Sequence, residues 1–533
     1  MKRKIVSALL VMSMTASLVA CGNSGSGSSD PADESVSVSS SASSESDASA
    51  SASSESEAEA EESEMPEGYD ETSTELYNEA LGDFNDALAT AKEAETVDER
   101  YALMAVAEGK LMESAMMYPL TSRGGMYAMY RMAPRTKDYT LWGSDNDRYH
   151  QYVVTTDFIK AEDYNEMRAK WDELKGTGTY ESWVKEYLAG KGYTLKDSFS
   201  MPYASDPVTW DGLATSRAAD TDAIINTYDG LMEYDVEGTL QPALAESYEV
   251  SDDGLTYTFH LRKDVKWTDS QGREVDTVKA DDFVAGMQHM CDAQGGLEYL
   301  VQGVIKNVSQ YISGEVTDFD EVGVKAVDDK TLEVTTTTRV SFFDELMSFP
   351  CFYPINEKFC EKQGDKYGKS AKTILGNGAF TMTNWEPGSV AEFEKNDKFY
   401  AAKDVKIDKL VMKLVQEPKV AAQSFEAGET DFAIINSDLV DKYKKDESFK
   451  NISEGFLFYI QPNLENSDLA NLNVRKALSL AINRKDLCEN VLKDGSQVAG
   501  GFIPSGLATS PDGIDFRKDS GNFTSYDKKK AQE

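Results

Sequence analysis

Residues 22–65 decide where a fold can begin. This stretch is made of Ser, Ala, Gly and acidic residues, with eleven Asp/Glu and no Lys or Arg. Beyond Ala it holds almost nothing apolar. It cannot bury enough surface to offset the entropy of ordering a chain, so it is expected to stay disordered. The core must therefore come from the roughly 465 residues that follow, enough for two or three domains. As a flexible coil, 22–65 has a root-mean-square reach of roughly 35–40 Å, which suits a tether.

The residues before it indicate what the tether is tied to. Met1-Lys2-Arg3-Lys4 is basic, residues 5–20 are apolar, and small residues close the run. That is the layout of a secretory signal. The apolar run is shorter than the roughly 20 residues a spanning helix needs. Its exit, Leu18-Val19-Ala20-Cys21-Gly22, resembles a bacterial lipobox, so residues 1–21 read as a lipoprotein signal with Cys21 as the lipidated mature N-terminus. Two or more acyl chains hold a protein stably on a membrane where one does not.

The whole sequence carries a formal net charge of −39. Nucleic-acid phosphates need basic surfaces, so no nucleic-acid partner is expected. Besides Cys21 there are Cys291, Cys351, Cys360 and Cys488, with no C-x-x-C pair. No metal site is expected from them. Cys351 and Cys360 are either a small disulfide or buried free thiols. The three histidines, His150, His260 and His289, have no hydrolase motif around them, so neither a catalytic residue nor a cofactor is assigned.

Helical spacing of Leu76, Tyr77, Ala80, Leu81, Phe84 and Leu88, and of Leu103, Val106, Leu111 and Ala115, predicts helices within 70–118. Two polar helices are expected over 161–190, separated by Gly176-Thr177-Gly178. From Tyr193 short β-type runs alternate with turns, clearest at 256–261, 331–335 and 409–414. Helices are expected at 281–291, 341–347, 419–427 and 473–492. The mixture indicates an α/β or α+β architecture. Asp253-Gly254 marks a hairpin turn, and Asp281 and Asp282 can cap a helix start. Gly376 and Gly378 allow close backbone approach around Asn377. Arg475 and Arg484 are expected in structural ion pairs.

Residues 197–490 resemble the oligopeptide- and dipeptide-binding class of extracellular solute-binding proteins. The resemblance rests on residues 205–267, on KADDFVAGMQHM (279–290), GVKAVDDKTLEVT (323–335), LGNGAFTMTNWEPGSVAEFEKNDKFY (375–400), AGETDFAIIN (427–436) and LNVRKALSLAINRKDL (472–487). It implies a two-lobed, periplasmic-binding-protein-like fold with an enlarged first lobe, and it implies no enzyme. Residues 66–160 resemble the family's closing segment, so the order is expected to be circularly permuted. The implied organisation is 66–160 in lobe I, 161–196 as a helical connector, 197–404 as lobe I and 405–533 as part of lobe II. The second lobe is expected to lack a stretch, and residues 95–120 are expected to pack against 200–262.

The resemblance also implies the function. Lobes close over an oligopeptide or dipeptide, and the permease subunits of an ABC importer read the closed form. A peptide sensor without transport, or capture of nickel, haem or a sugar, are the alternatives. The implied ligand-binding residues are Tyr203, Ala204, Ser205 and Asp206 at a strand edge, Asn377 and Gly378, and Phe458, Tyr459, Gln461 and Asn463. Thr121 and Ser122 are added from the closing segment. Trp210 either lines the cleft or belongs to the core.

Overall fold

A computed structural model describes residues 71–533, except 93, 95, 123–125, 139, 141–143, 341, 453–456, 506, 509 and 511–513. The expected signal (1–21), the lipidated Cys21 and the linker (22–65) lie outside the described residues. Among the described residues, no helix is long and apolar enough to cross a membrane.

The chain opens with α1 (Glu71–Ala80), α2 (Gly82–Lys92) and α3 (Val97–Ser114). The Thr96 side chain accepts from Glu99 N at the start of α3, and Asp98 and Glu99 place negative charge in its first turn, where the helix dipole favours it. Leu81, Phe84, Leu88, Ala107, Leu111, Met116 and Met117 form one apolar cluster with Leu464.

Two short strands follow, β1 (Tyr118–Ser122) and β2 (Met126–Tyr130). Each is the middle of a three-stranded antiparallel sheet completed by residues more than 300 positions later. β1 lies between Leu457–Ile460 and Gln497–Val498, and β2 between Phe432–Ile434 and Phe449–Ile452. This corrects the expected packing of residues 95–120 against 200–262. The buried side of α3 meets Leu464, and its buried Glu108 is paired with Arg517, because that carboxylate needs a cation at the same depth. Residues 225–234 are met instead by residues 145–149, described below.

Next come β3 (Val154–Thr155), the helical hairpin α4 (Ala161–Leu174) and α5 (Tyr180–Gly190), and β4 (Leu195–Lys196). Tyr164, Met167, Trp171, Tyr180, Val184 and Leu188 close the hairpin's own core. β3 and β4 pair antiparallel, so the hairpin begins and ends at neighbouring points.

Residues 198–414 build the first body. One antiparallel sheet has the order 324–328, 331–335, 256–261, 245–250. The second runs 380–386, 390–395, 409–414 and then β5 (Ser198–Tyr203), which joins parallel. Burial alternates along 256–261, as a strand with one face on the core requires. The Asp253-Gly254 turn joins strands 245–250 and 256–261, with Gly254 at φ 71°. Helix α6 (Ala280–Ala293) starts with Asp282 Oδ2 accepting from Lys279 N at 3.0 Å. Trp210, Phe259, Trp267, Phe343, Phe380 and Phe393 are among the buried rings of one continuous core.

Residues 415–533, with α1–α3, β1 and β2, form the second body, so residues 71–130 stand with it and not in lobe I as the resemblance implied. Its α7 (Leu472–Ala481) carries Arg475, and Arg484 follows a break at Ile482. Neither arginine is held in the expected ion pair. Arg475 donates to Ser114 O, Leu469 O and Ala470 O, and Arg484 to Pro119 O and Ser479 O. A planar guanidinium satisfies several chain-end carbonyls at once, which a carboxylate partner would not do.

Candidate functional site

The residues expected to hold a ligand fall into three places. The first is the end of β5. Tyr203 OH donates to Asp206 Oδ1 at 2.7 Å, and Gly388 N donates to Asp206 Oδ2 at 2.5 Å. Both Asp206 oxygens are thus spent on pinning this loop to the hairpin between 380–386 and 390–395. Burial raises the Tyr203 hydroxyl pKa. Ala204 is exposed and Ser205 half-buried. Val415 N donates to Tyr203 O, so the main chain of Tyr203 faces its neighbour strand. Alternation turns the main-chain groups of Ser200 and Pro202 the other way.

The second place is the β1 sheet. Thr121 lies opposite Phe458 and Ser122 opposite Leu457, so four of the expected residues, Thr121, Ser122, Phe458 and Tyr459, share one small sheet. Phe458 is 39% exposed, whereas Thr121 and Ser122 are buried. The Tyr459 ring meets Phe502 edge-on at 6.1 Å. Gln461 is exposed, and Asn463 Oδ1 accepts from Tyr77 OH and Glu465 N.

The third place is the interior of the first body. Trp210 is fully buried, with Trp385 at 5.6 Å and Phe393 at 5.8 Å. Asn377 is 1% exposed, and its Oδ1 accepts from Asp229 N at 2.8 Å. A Cβ on Gly378 would sit 2.8 Å from the Thr227–Tyr228 backbone. The close approach expected at Asn377-Gly378 is therefore made to the chain's own residues 227–229, and not to an open surface.

Two constellations were not anticipated. At the junction of the bodies, Ser200 N donates to Asp431 Oδ2 and Asp431 N donates back to Ser200 O, both at 2.7 Å. Lys196 Nζ donates to Asp431 Oδ1 at 2.6 Å. Arg131 joins the same knot, with its N donating to Asp431 O and its guanidinium to Thr430 O, Phe425 O and Thr156 O. Burial raises the Asp431 pKa, opposed by Lys196. The only signal in the sequence was an acid directly before the apolar run 432–435.

The other constellation ties residues 138–150 to the opening segment. Arg148, 2% exposed, donates to Asp145 Oδ1 (2.8 Å), Asp229 Oδ1 (2.6 Å), Ile225 O, Tyr228 O and Tyr353 OH. Tyr149 N donates to Asn226 Oδ1. Burial pushes the pKa values of Asp138, Asp145 and Asp229 up, and burial beside Asp229 pushes Glu233 up to about 8. Burial pushes His150 down to about 3. One guanidinium faces several buried carboxylates, and burial there favours their neutral form.

Cys291, Cys351, Cys360 and Cys488 are free thiols, which settles the Cys351–Cys360 alternative. Among the described residues, no group of three or more His, Cys, Asp or Glu is arranged to hold a metal ion.

Comparison with known proteins agrees with this architecture. Oligopeptide-binding protein AliB of Streptococcus pneumoniae is 39% identical over 234 residues, covering 44% of this chain and 35% of AliB. Dipeptide-binding protein DppE of Bacillus subtilis is 31% identical over 337 residues, covering 63% of this chain and 59% of DppE. The chain thus spans less than two thirds of either relative's length. Among solved structures, the pheromone receptor PrgZ superposes with a TM-score of 0.55 at 29% identity, covering 63% of this chain and 66% of the receptor. Residues 239–533, more than half of the chain, match the family described as bacterial extracellular solute-binding proteins, family 5 Middle, and the chain belongs to that family.

Proposed function

We propose that this chain is the peptide-capturing component of an ABC importer, held by lipid on Cys21 at the outer face of a bacterial membrane. The observation that carries the reading is family membership across residues 239–533, joined to relatives named for oligopeptide and dipeptide binding. The work asked of the protein is binding, and no side chain is assigned a catalytic role.

An extended peptide can add its main chain to strand edges, and that recognition is blind to side chains. Two segments suit it: β5 beyond Ser200, leading to Ala204, and strand 457–460 with the exposed Phe458. In this reading the first body (198–414) and the second (415–533) supply the two lobes, the boundary lying beyond the expected 404 because strand 409–414 completes the first body's sheet. Residues 66–160 are the family's closing segment in permuted order, and here β1 and β2 lie at the centre of second-body sheets. Closure over the peptide shifts the population toward the form the permease subunits bind.

Isothermal titration with mixed tri- to pentapeptides tests the ligand class. Binding with broad side-chain tolerance is expected. Binding of a sugar, haem or nickel with none of the peptides overturns it. The structural likeness to a pheromone receptor favours one second reading, a peptide sensor without transport. A deletion strain that still grows on peptides but loses a peptide-induced response supports the sensor.

A further inference from the structure

We propose that the helical hairpin of α4 and α5 is a strap across the junction of the two bodies, limiting how far they swing apart. The inference rests on the reading that the bodies move relative to one another when a ligand is captured. It goes beyond that reading by assigning this motion a restraint in residues 156–194.

The covalent frame makes no demand for such an element. β3 and β4 are paired neighbours, Val154 with Lys196 and Thr155 with Leu195. A turn of a few residues would join them. The chain instead sends out two helices and brings them back.

The near end of the hairpin is fastened to the second body. Ala161 N donates to Glu447 O at 2.7 Å, and Lys160 Nζ pairs with Glu447 Oε2 at 3.0 Å. The Tyr164 ring lies under Lys450 Nζ at 5.4 Å, and that buried Nζ donates to Ser448 O. Phe158, just before the helix, packs on the cluster of Phe425, Ile435 and Leu439.

The rest of the hairpin is fastened to the first body. At its tip, Gly176 N donates to Glu237 Oε1 at 2.9 Å, and Glu237 sits on the turn between Met232–Tyr234 and Leu240–Pro242. On α5, Glu181 Oε1 pairs with Lys406 Nζ at 3.5 Å. Lys406 N donates in turn to His150 O, inside the same body.

Between its fastenings the hairpin is stiff. Asp163 accepts from Tyr187 OH, Lys191 Nζ and Tyr193 OH at 2.7–2.9 Å, locking the base of α4 to the end of α5. Trp171 meets Tyr180 edge-on at 4.9 Å inside the hairpin core. A rigid piece fixed at both ends to different bodies must release one end before those bodies separate. The contacts to Glu237 and Lys406 are few and partly solvated, so that end releases first. The strap therefore biases the junction rather than sealing it.

The test uses the full chain with Glu237→Ala and Lys406→Ala combined, neither residue having a part in peptide capture. Native-state hydrogen exchange is read at the junction amides of Arg131 and Asp431 and within 164–188. Exchange at the junction is expected to rise by about threefold or more while 164–188 stays protected, the mark of a local opening. Unchanged junction exchange with increased exchange only at Gly176 overturns the strap. A second variant replaces 161–190 with a short Gly/Ser turn. If it folds and its junction exchanges at the parent rate, the strap is likewise overturned. Peptide titration on the parent runs separately, so a failure of the peptide reading leaves the exchange result standing.

Discussion

Glu108 and Arg517 form a buried two-bonded ion pair, Nη1 to Oε1 at 2.6 Å and Nη2 to Oε2 at 2.7 Å, joining α3 to the far end of the chain. Glu108 Oε1 also accepts from Ile503 N at 2.9 Å. Removing one partner strands the other charge, so Glu108→Ala should cost about 3–5 kcal/mol in urea denaturation. Changing Glu108 and Arg517 together to Met should recover much of that loss, because the penalty lies in the orphaned charge. A double variant as unstable as the single one contradicts this.

The first body should lose stability as pH rises through a defined window. Glu233 has a folded pKa near 8 against an ordinary 4.5, raised by burial first and by Asp229 second. Between those values the folded chain holds a proton the unfolded chain has released, so stability falls with rising pH. Its contribution is fully present below about pH 4.5 and gone above about pH 8. Glu233→Gln stays neutral throughout and should flatten the melting temperature against pH over that interval. An unchanged slope contradicts the assignment.

Gly286 tests which of two opposing effects wins. Alanine in a helix interior is favoured over glycine by about 1 kcal/mol. At Gly286, however, a Cβ would press into Tyr353 O and lie 3.4 Å from Pro354 Cα. Overpacking costs about 1–3 kcal/mol, so Gly286→Ala should destabilise despite the propensity gain. Chemical denaturation measures the sign directly.

These cases show what was legible from the residues alone. Strands 256–261, 331–335 and 409–414 stand where alternation put them, because alternation records burial on one face. The helices of 161–190 divide where Gly176 and Gly178 adopt positive φ. Partners at long range left no such mark. Nothing local to Tyr118–Tyr130 says that residues 432–498 flank it, and nothing around Arg475 distinguishes carbonyl acceptors from a carboxylate. Asn377-Gly378 reads as a close-approach site, which it is, but flanking glycines permit approach to a ligand and approach to Thr227 equally well. Trp210 carries the same ambiguity in the sequence, and it lies buried beside Trp385 and Phe393.

The anchor is tested by Cys21→Ser. If Cys21 takes lipid, the variant should appear in the medium or accumulate with its signal attached, and should no longer partition into detergent. Parent-like partitioning would falsify the anchor.

The second body presents apolar side chains of α7 to solvent, with Val474 and Leu478 on one face. On α7 the one fully buried residue is Arg475, while Leu472, Val474 and Leu478 are each at least 36% exposed. Phe458, Ile460 and Val498 add exposed apolar surface on the β1 sheet. Single apolar residues are ordinary on a surface, but Val474 and Leu478 together with the exposed Phe458, Ile460 and Val498 are a liability for association. The described chain should therefore bind a hydrophobic dye and sediment with a concentration-dependent coefficient. Leu478→Lys adds a charge at an exposed position, so it should leave the unfolding free energy within about 0.5 kcal/mol of the parent. It should also lower both dye binding and association. Association unaffected by Leu478→Lys and by Val474→Lys would place the contact elsewhere.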